Sequence, residues 1–177
     1  MHPPALVAGG DGPIPVQDMF NTIVWATDGS EHADRALTYA KQLAAHEHAA
    51  VVAVHSVEHL LGPRAGGEAL YANEDEIKAK VEKQVAELAE EGLEASAKIV
   101  GGPSVVGAAH MIADAAREVG ADLIIVGTRG HNPVAGLFVG GVTQRLLHVA
   151  PCPVLAVPPV RQASEARDAD AAHAQTG

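Results

Sequence analysis

The chain has 177 residues, 47% of them hydrophobic but only 3% aromatic, which suits one α/β domain with tails and a core of Val, Ile, Leu and Ala. Of its formal charge of −10, −7 lies between residues 19 and 160, and an acidic domain without a basic stripe argues against nucleic acid or an anionic membrane as partner. No apolar run approaches the ~20 residues that cross a bilayer, the opening Met1-His2-Pro3-Pro4 does not read as a signal peptide, and a single cysteine, Cys152, excludes an internal disulfide and suits a cytoplasmic protein.

Residues 1–18 are rich in Pro and Gly without periodicity and read as a mobile lead-in. Thr22–Thr27 is then a first strand, and Ser30 caps a helix with Ala33, Ala36, Leu37, Ala40, Leu43 and Ala44 on one face. Residues 50–57 form a second strand, followed by a long loop of about fifteen residues. Asn73 with Glu76 makes a capping pair ahead of Ile77, Val81, Val85 and Leu88, and Gly92 ends that helix. Leu93, Ala95, Ala97 and Ile99 alternate with polar residues, as in a strand exposed on one side. Ser104 caps a third helix with Val105, Ala109, Ile112, Ala113 and Ala116 inward and Gly120 as its stop. Residues 122–126 form a fourth strand, and a fourth helix follows with Val142, Leu146 and Val149 at helical spacing. Residues 153–157 form a fifth strand, with Cys152 as a small buried apolar group before it. The composition of residues 160–177 reads as a disordered tail.

Strands alternating with helices imply one doubly wound parallel sheet with helices on both faces. Strands one, two and four are almost unbroken apolar runs, as central parallel strands should be, which leaves three and five as edges. The expected order is 3-2-1-4-5, with strands one and four adjacent where the winding reverses and ligands bind.

The glycines cluster at that point, in Gly127-Thr128-Arg129-Gly130 and in Gly140-Gly141-Val142-Thr143. Gly127 and Gly130 let the backbone turn and approach a ligand. Gly140 and Gly141 stand at a helix N-terminus, whose unpaired amides and dipole favour an anion, most often phosphate. The spacing matches neither the P-loop nor the dinucleotide fingerprint. Asp28 repels phosphate and so should face the neutral end of a nucleotide, or else simply makes the bend with Gly29. Arg129 steadies a phosphate or is a surface arginine. The Thr143 hydroxyl joins the amides around a phosphate or helps to cap the helix. His46, His48, His55 and His59 lack the spacing of a zinc site, and no metal site is expected.

Several stretches together resemble the universal stress protein family: Thr27-Asp28-Gly29-Ser30, His55 at the end of strand two, Val126 to His131, Gly140 to Thr143, and Ala150 to Leu155. The resemblance covers residues 20–158. Its ATP-binding members carry a loop of the form Gly-x2-Gly-x9-Gly-Ser/Thr; here Gly127, Gly130 and Gly140 keep the register, with Gly141 in place of Ser or Thr. The resemblance implies that Ala26, Thr27, Asp28 and Ser56 surround adenine and ribose. Gly127, Arg129 and Gly130 would approach ribose and phosphates, and Gly140, Gly141, Val142 and Thr143 the phosphate chain. It implies ATP or another adenine nucleotide as ligand, with Mg²⁺ carried on the phosphates, in a stress-response regulator that at most hydrolyses ATP slowly. It also implies a homodimer through the fifth strand, Pro153–Val157, which as an apolar edge should seek a partner strand. The missing hydroxyl at 141 points to weak binding, or to a nucleotide-independent dimeric interaction protein of the same fold.

Overall fold

The computed structural model describes residues 19–59, 73–103, 106–129 and 139–159. Its elements run β1 (Thr22–Thr27), α1 (Glu31–Glu47), β2 (Ala50–His59), α2 (Glu74–Glu90), β3 (Ala95–Pro103), α3 (Ala108–Glu118), β4 (Leu123–Gly127), α4 (Gly141–Val149) and β5 (Val154–Val157). The lead-in, the tail, the loop over 60–72 and Ser104 and Val105 lie outside the described residues.

All five strands are parallel, in the order β3-β2-β1-β4-β5. β1 and β4 are neighbours, with Ala26 level with Val126. Side chains alternate across each strand, so the sheet divides two apolar clusters. Ile23, Trp25, Val51, Ala53 and Ile125 pack against Ala36, Ala40, Ala44, Ile77 and Val81 of α1 and α2. Val24, Ala26, Val52, Val54 and Ile124 pack against Ile112, Ala113, Ala116 and Leu146 of α3 and α4. The alanine stripe of α1 lets that helix lie close to the sheet. Trp25, fully buried, fills the space and donates its indole N–H to the Ala33 carbonyl at 2.9 Å. All of β4 is buried, whereas no residue of β3 is, as befits a central and an edge strand.

Helix boundaries follow local chemistry more closely at some ends than at others. Ser30 is extended and its hydroxyl accepts the Ala33 amide at 3.3 Å, as a capping serine should. The expected Asn73–Glu76 capping pair does not form: Asn73 makes no side-chain cap, and its carbonyl accepts the Glu76 and Ile77 amides. Asn73 is not extended (φ −104°, ψ 22°), so its side chain is not set for that role. α3 starts at Ala108, behind Gly107 at φ 77°, later than a cap at Ser104 implied. In α4 the inward stripe begins at Thr143, and Val142 is 41% exposed, because helical spacing alone does not reveal which side meets the sheet. Cys152 is half-buried against the α3–α4 cluster, and burial pushes its thiol pKa up.

Asp122, just before β4, accepts the Asn21 amide at 2.6 Å and the Thr22 amide at 3.0 Å, joining the entry of β1 to that of β4. These backbone hydrogen bonds hold its carboxyl below the ordinary value of 3.8. A depressed carboxylate pKa contributes stability above the unfolded value and loses it as pH falls through the folded one. Asp122→Asn is therefore expected to lower the melting temperature at neutral pH and to flatten the decline of the unaltered chain below about pH 4. Thermal melts from pH 7 to about 2 check it, and parallel curves would refute it.

Candidate functional site

At the C-terminal edge of the sheet, the β1–α1 turn is wound by its own side chains. The Gly29 amide donates to Thr27 Oγ1 at 3.1 Å and the Ser30 amide to Asp28 Oδ1 at 3.0 Å, with Gly29 at φ 78°. α2 clamps the turn from below. Lys80 donates to the Gly29 carbonyl and to Asp34, each at 2.7 Å, and Ile77 fills the space where a Cβ on Gly29 would lie. Asp28 thus shapes the bend, and it also lines the neighbouring cleft.

His55 ties the same turn to α2 through the core. Its Nδ1 lies 3.0 Å from the Thr27 carbonyl and its Nε2 2.7 Å from Glu74 Oε2, with both side chains buried. A carbonyl only accepts, so Nδ1 carries a proton, and a second proton lies between Nε2 and Glu74. The histidine is a structural bridge, and Glu74, in the first turn of α2, is buried with it. Among the described residues no group of three His, Cys, Asp or Glu is placed to hold a metal.

The β4–α4 side is built from backbone. The Gly140 amide donates to the Thr128 carbonyl at 2.6 Å, and Thr143 Oγ1 donates to the Gly127 carbonyl at 2.8 Å. Gly140 is the extended cap residue and contributes no side chain. The amides of Gly141, Val142 and Thr143 therefore precede the first bond inside α4, from the Gln144 amide to the Gly140 carbonyl at 2.9 Å. They form the positive end of the helix. The Thr143 hydroxyl makes no side-chain cap of α4; its proton goes to the end of β4 instead. Gly127 is glycine for packing, since a Cβ there would lie 2.9 Å from the His32 carbonyl oxygen of α1. A Cβ on Gly140 would lie 3.2 Å from the Thr128 carbonyl oxygen, whereas one on Gly141 meets nothing within 4 Å among the described residues.

Between these two sides lies a cleft of ≈ 220 Å³. Ala26, Thr27, Asp28 and Ser56 line it from β1 and β2, and Gly127, Arg129, Gly140, Gly141, Val142 and Thr143 from the β4–α4 side. Gly130, the remaining expected site residue, lies outside the described residues. The structure adds Ala33, His55, Glu58, Ile77, Ala108 and Ile112 to the walls. Glu58 was within reach of the sequence: it follows Ser56 by two and so shares its side of β2. The α3 contributions depended on which helix crosses β2.

The model of the universal stress protein family matches residues 19–158. The chain belongs to the universal stress protein family. A curated member from Thermus aquaticus, described as a universal stress protein in the QAH/OAS sulfhydrylase 3′ region, is 37% identical over 145 residues, covering 78% of this chain and 99% of the relative. The structure of the Archaeoglobus fulgidus universal stress protein in complex with dAMP is 28% identical, with a TM-score of 0.56 over 77% of this chain and 96% of that one. A universal stress protein in complex with cAMP is 25% identical, with a TM-score of 0.55 over 78% and 96%.

The staple from Thr143 to Gly127 gives a direct test. Thr143→Val keeps the shape but leaves the Gly127 carbonyl without its donor, so it is expected to cost about 1–3 kcal/mol in urea unfolding. Thr143→Ser should cost less; equal losses for both would refute the role of the hydroxyl.

Proposed function

We propose that this cleft binds an adenine nucleotide, ATP or AMP, in a regulatory stress protein. The observation that carries the reading is the uncapped first turn of α4 opening on a cleft whose far wall bears Asp28. Phosphates would take the amides of Gly141, Val142 and Thr143, with Arg129 beside them. Asp28 would accept from ribose hydroxyls, and Ala26, Thr27 and Ser56 would adjoin sugar and base. Gly130, next to Arg129, belongs to this set by its place in the loop. Mg²⁺ would be carried on the phosphates. The complexes of relatives with dAMP and cAMP support the choice of adenine. Binding energy spread over backbone amides suits a sensor better than rapid turnover. The nucleotide-binding domain would be residues 19–159, between the lead-in and the tail, in a cytoplasmic protein.

The open space at Gly141 makes the affinity adjustable. Calorimetry is expected to show saturable but weak ATP or AMP binding, lost on Asp28→Ala. Gly141→Ser has room for its hydroxyl and should tighten ATP binding roughly ten- to a hundredfold, the value of one hydrogen bond to a charged group. No saturable binding at millimolar nucleotide by either form would overturn the reading in favour of a nucleotide-independent interaction protein.

We further propose a homodimer through β5. This four-residue edge strand presents Leu155 at 36% exposure, and an apolar edge of this kind recruits a second strand. The expected solution mass at micromolar concentration is that of two chains, and Leu155→Asp should shift it toward one. A monomeric unaltered chain would count against this pairing.

A further inference from the structure

We infer that Glu58 sets the specificity of the cleft, confining it to nucleotides that are anionic at one end only; the inference rests on the nucleotide reading above. Val52 and Val54 of β2 face the α3–α4 side of the sheet, so alternation carries Ser56 and Glu58 to that side too. Glu58 lines the cleft, and its Oε1 accepts the Ala108 amide, the first of α3, at 2.8 Å. Gly107, the residue ahead of that helix, makes no side-chain cap. The carboxylate from β2 thus occupies the positive end of α3, a favourable place for a fixed negative charge.

Two helix N-termini therefore meet the cleft with opposite effect. That of α4 presents backbone amides, whereas that of α3 is covered by the protein's own anion. The strand order β2-β1-β4 sets the two sides about 10 Å apart, two strand spacings. Among the described residues that line the cleft, the charged side chain on the α4 side is Arg129, and those on the other side are Asp28 and Glu58. The neighbouring cation of α2, Lys80, is engaged by the Gly29 carbonyl and Asp34.

The consequence concerns a second phosphate on the same sugar. With the first phosphate on the α4 amides, a phosphate on the ribose 3′ oxygen is seated on the β1–β2 side, facing two carboxylates. Like charges several ångströms apart in a partly screened cleft are worth about tenfold or more in affinity. Adenosine 3′,5′-bisphosphate is thus rejected relative to AMP, although it offers one more anion to any ordinary basic pocket.

Titration calorimetry with AMP and with adenosine 3′,5′-bisphosphate tests this through the ratio of the two dissociation constants. The unaltered chain is expected to favour AMP by about tenfold, and raising ionic strength should narrow the gap, as screening weakens repulsion. Glu58→Gln keeps an oxygen for the Ala108 amide while removing the charge, and should narrow the ratio by about threefold or more. A role confined to capping α3 would shift both ligands together and leave the ratio unchanged. An unchanged ratio in Glu58→Gln, or a preference for the bisphosphate in the unaltered chain, overturns the inference while the nucleotide reading stands. Failure of the unaltered chain to bind either ligand overturns both.

Discussion

The start of α4 is tied to the end of β4 by two short hydrogen bonds, and the site depends on that tie. The Gly140 amide reaches the Thr128 carbonyl, and the Thr143 hydroxyl reaches the Gly127 carbonyl. Ten residues of chain separate Arg129 from Gly140, yet the two ends are fixed to each other whatever lies between. Thr128 in turn donates its amide to the Val157 carbonyl of β5. The first turn of α4 is therefore positioned by the sheet itself, and its amides keep a constant direction. Preorganised dipoles of this kind need no rearrangement to meet an anion, which is why backbone can serve where no lysine is present.

The opposite wall is held just as firmly, but by side chains. His55 bridges Thr27 to Glu74, Lys80 bridges Gly29 to Asp34, and Ile77 closes over Gly29. Three residues of α2, one turn or less apart, thus grip a single bend. The buried His55–Glu74 pair is a costly way to do so, since both partners leave water and Glu74 Oε1 has no hydrogen-bond partner. What the pair supplies is direction: apolar contacts would tolerate sliding of α2 along the sheet, whereas a 2.7 Å hydrogen bond does not. Asp28 sits on the bend so fixed.

Much of this was readable from residues in order. The β-branched runs marked β1, β2 and β4, Ser30 marked the start of α1, and the glycines with the expected strand order located the cleft. What escaped was whatever depends on a partner distant in sequence. The inward turn of Glu74 follows from His55, nineteen residues earlier. The direction of the Thr143 hydroxyl follows from a carbonyl sixteen residues away. Gly127 lines the cleft and must also be small for α1, a second constraint that escaped because a close approach of two backbones leaves no mark in either local sequence. Alternation with Ser56 could have placed Glu58 at the cleft; its bond to the Ala108 amide could not be read, because the start of α3 was placed too early.

The departure from the family pattern at position 141 is best understood against this division of labour. Were the site built from side chains, losing a hydroxyl at the loop's end would alter its character. Here the amide at 141 is fixed by the helix, and the helix by Gly127 and Thr128, so a change of side chain leaves its direction alone. Among the described residues nothing packs where the missing Cβ would be, so they do not demand a glycine by space, and it lies in the helix without a positive φ. The residue is thus free to vary without disturbing its surroundings. In the nucleotide reading proposed above, the backbone amides would take the phosphate and the side chain at 141 would change only the strength of that contact, which allows affinity to be reset with little cost to the fold.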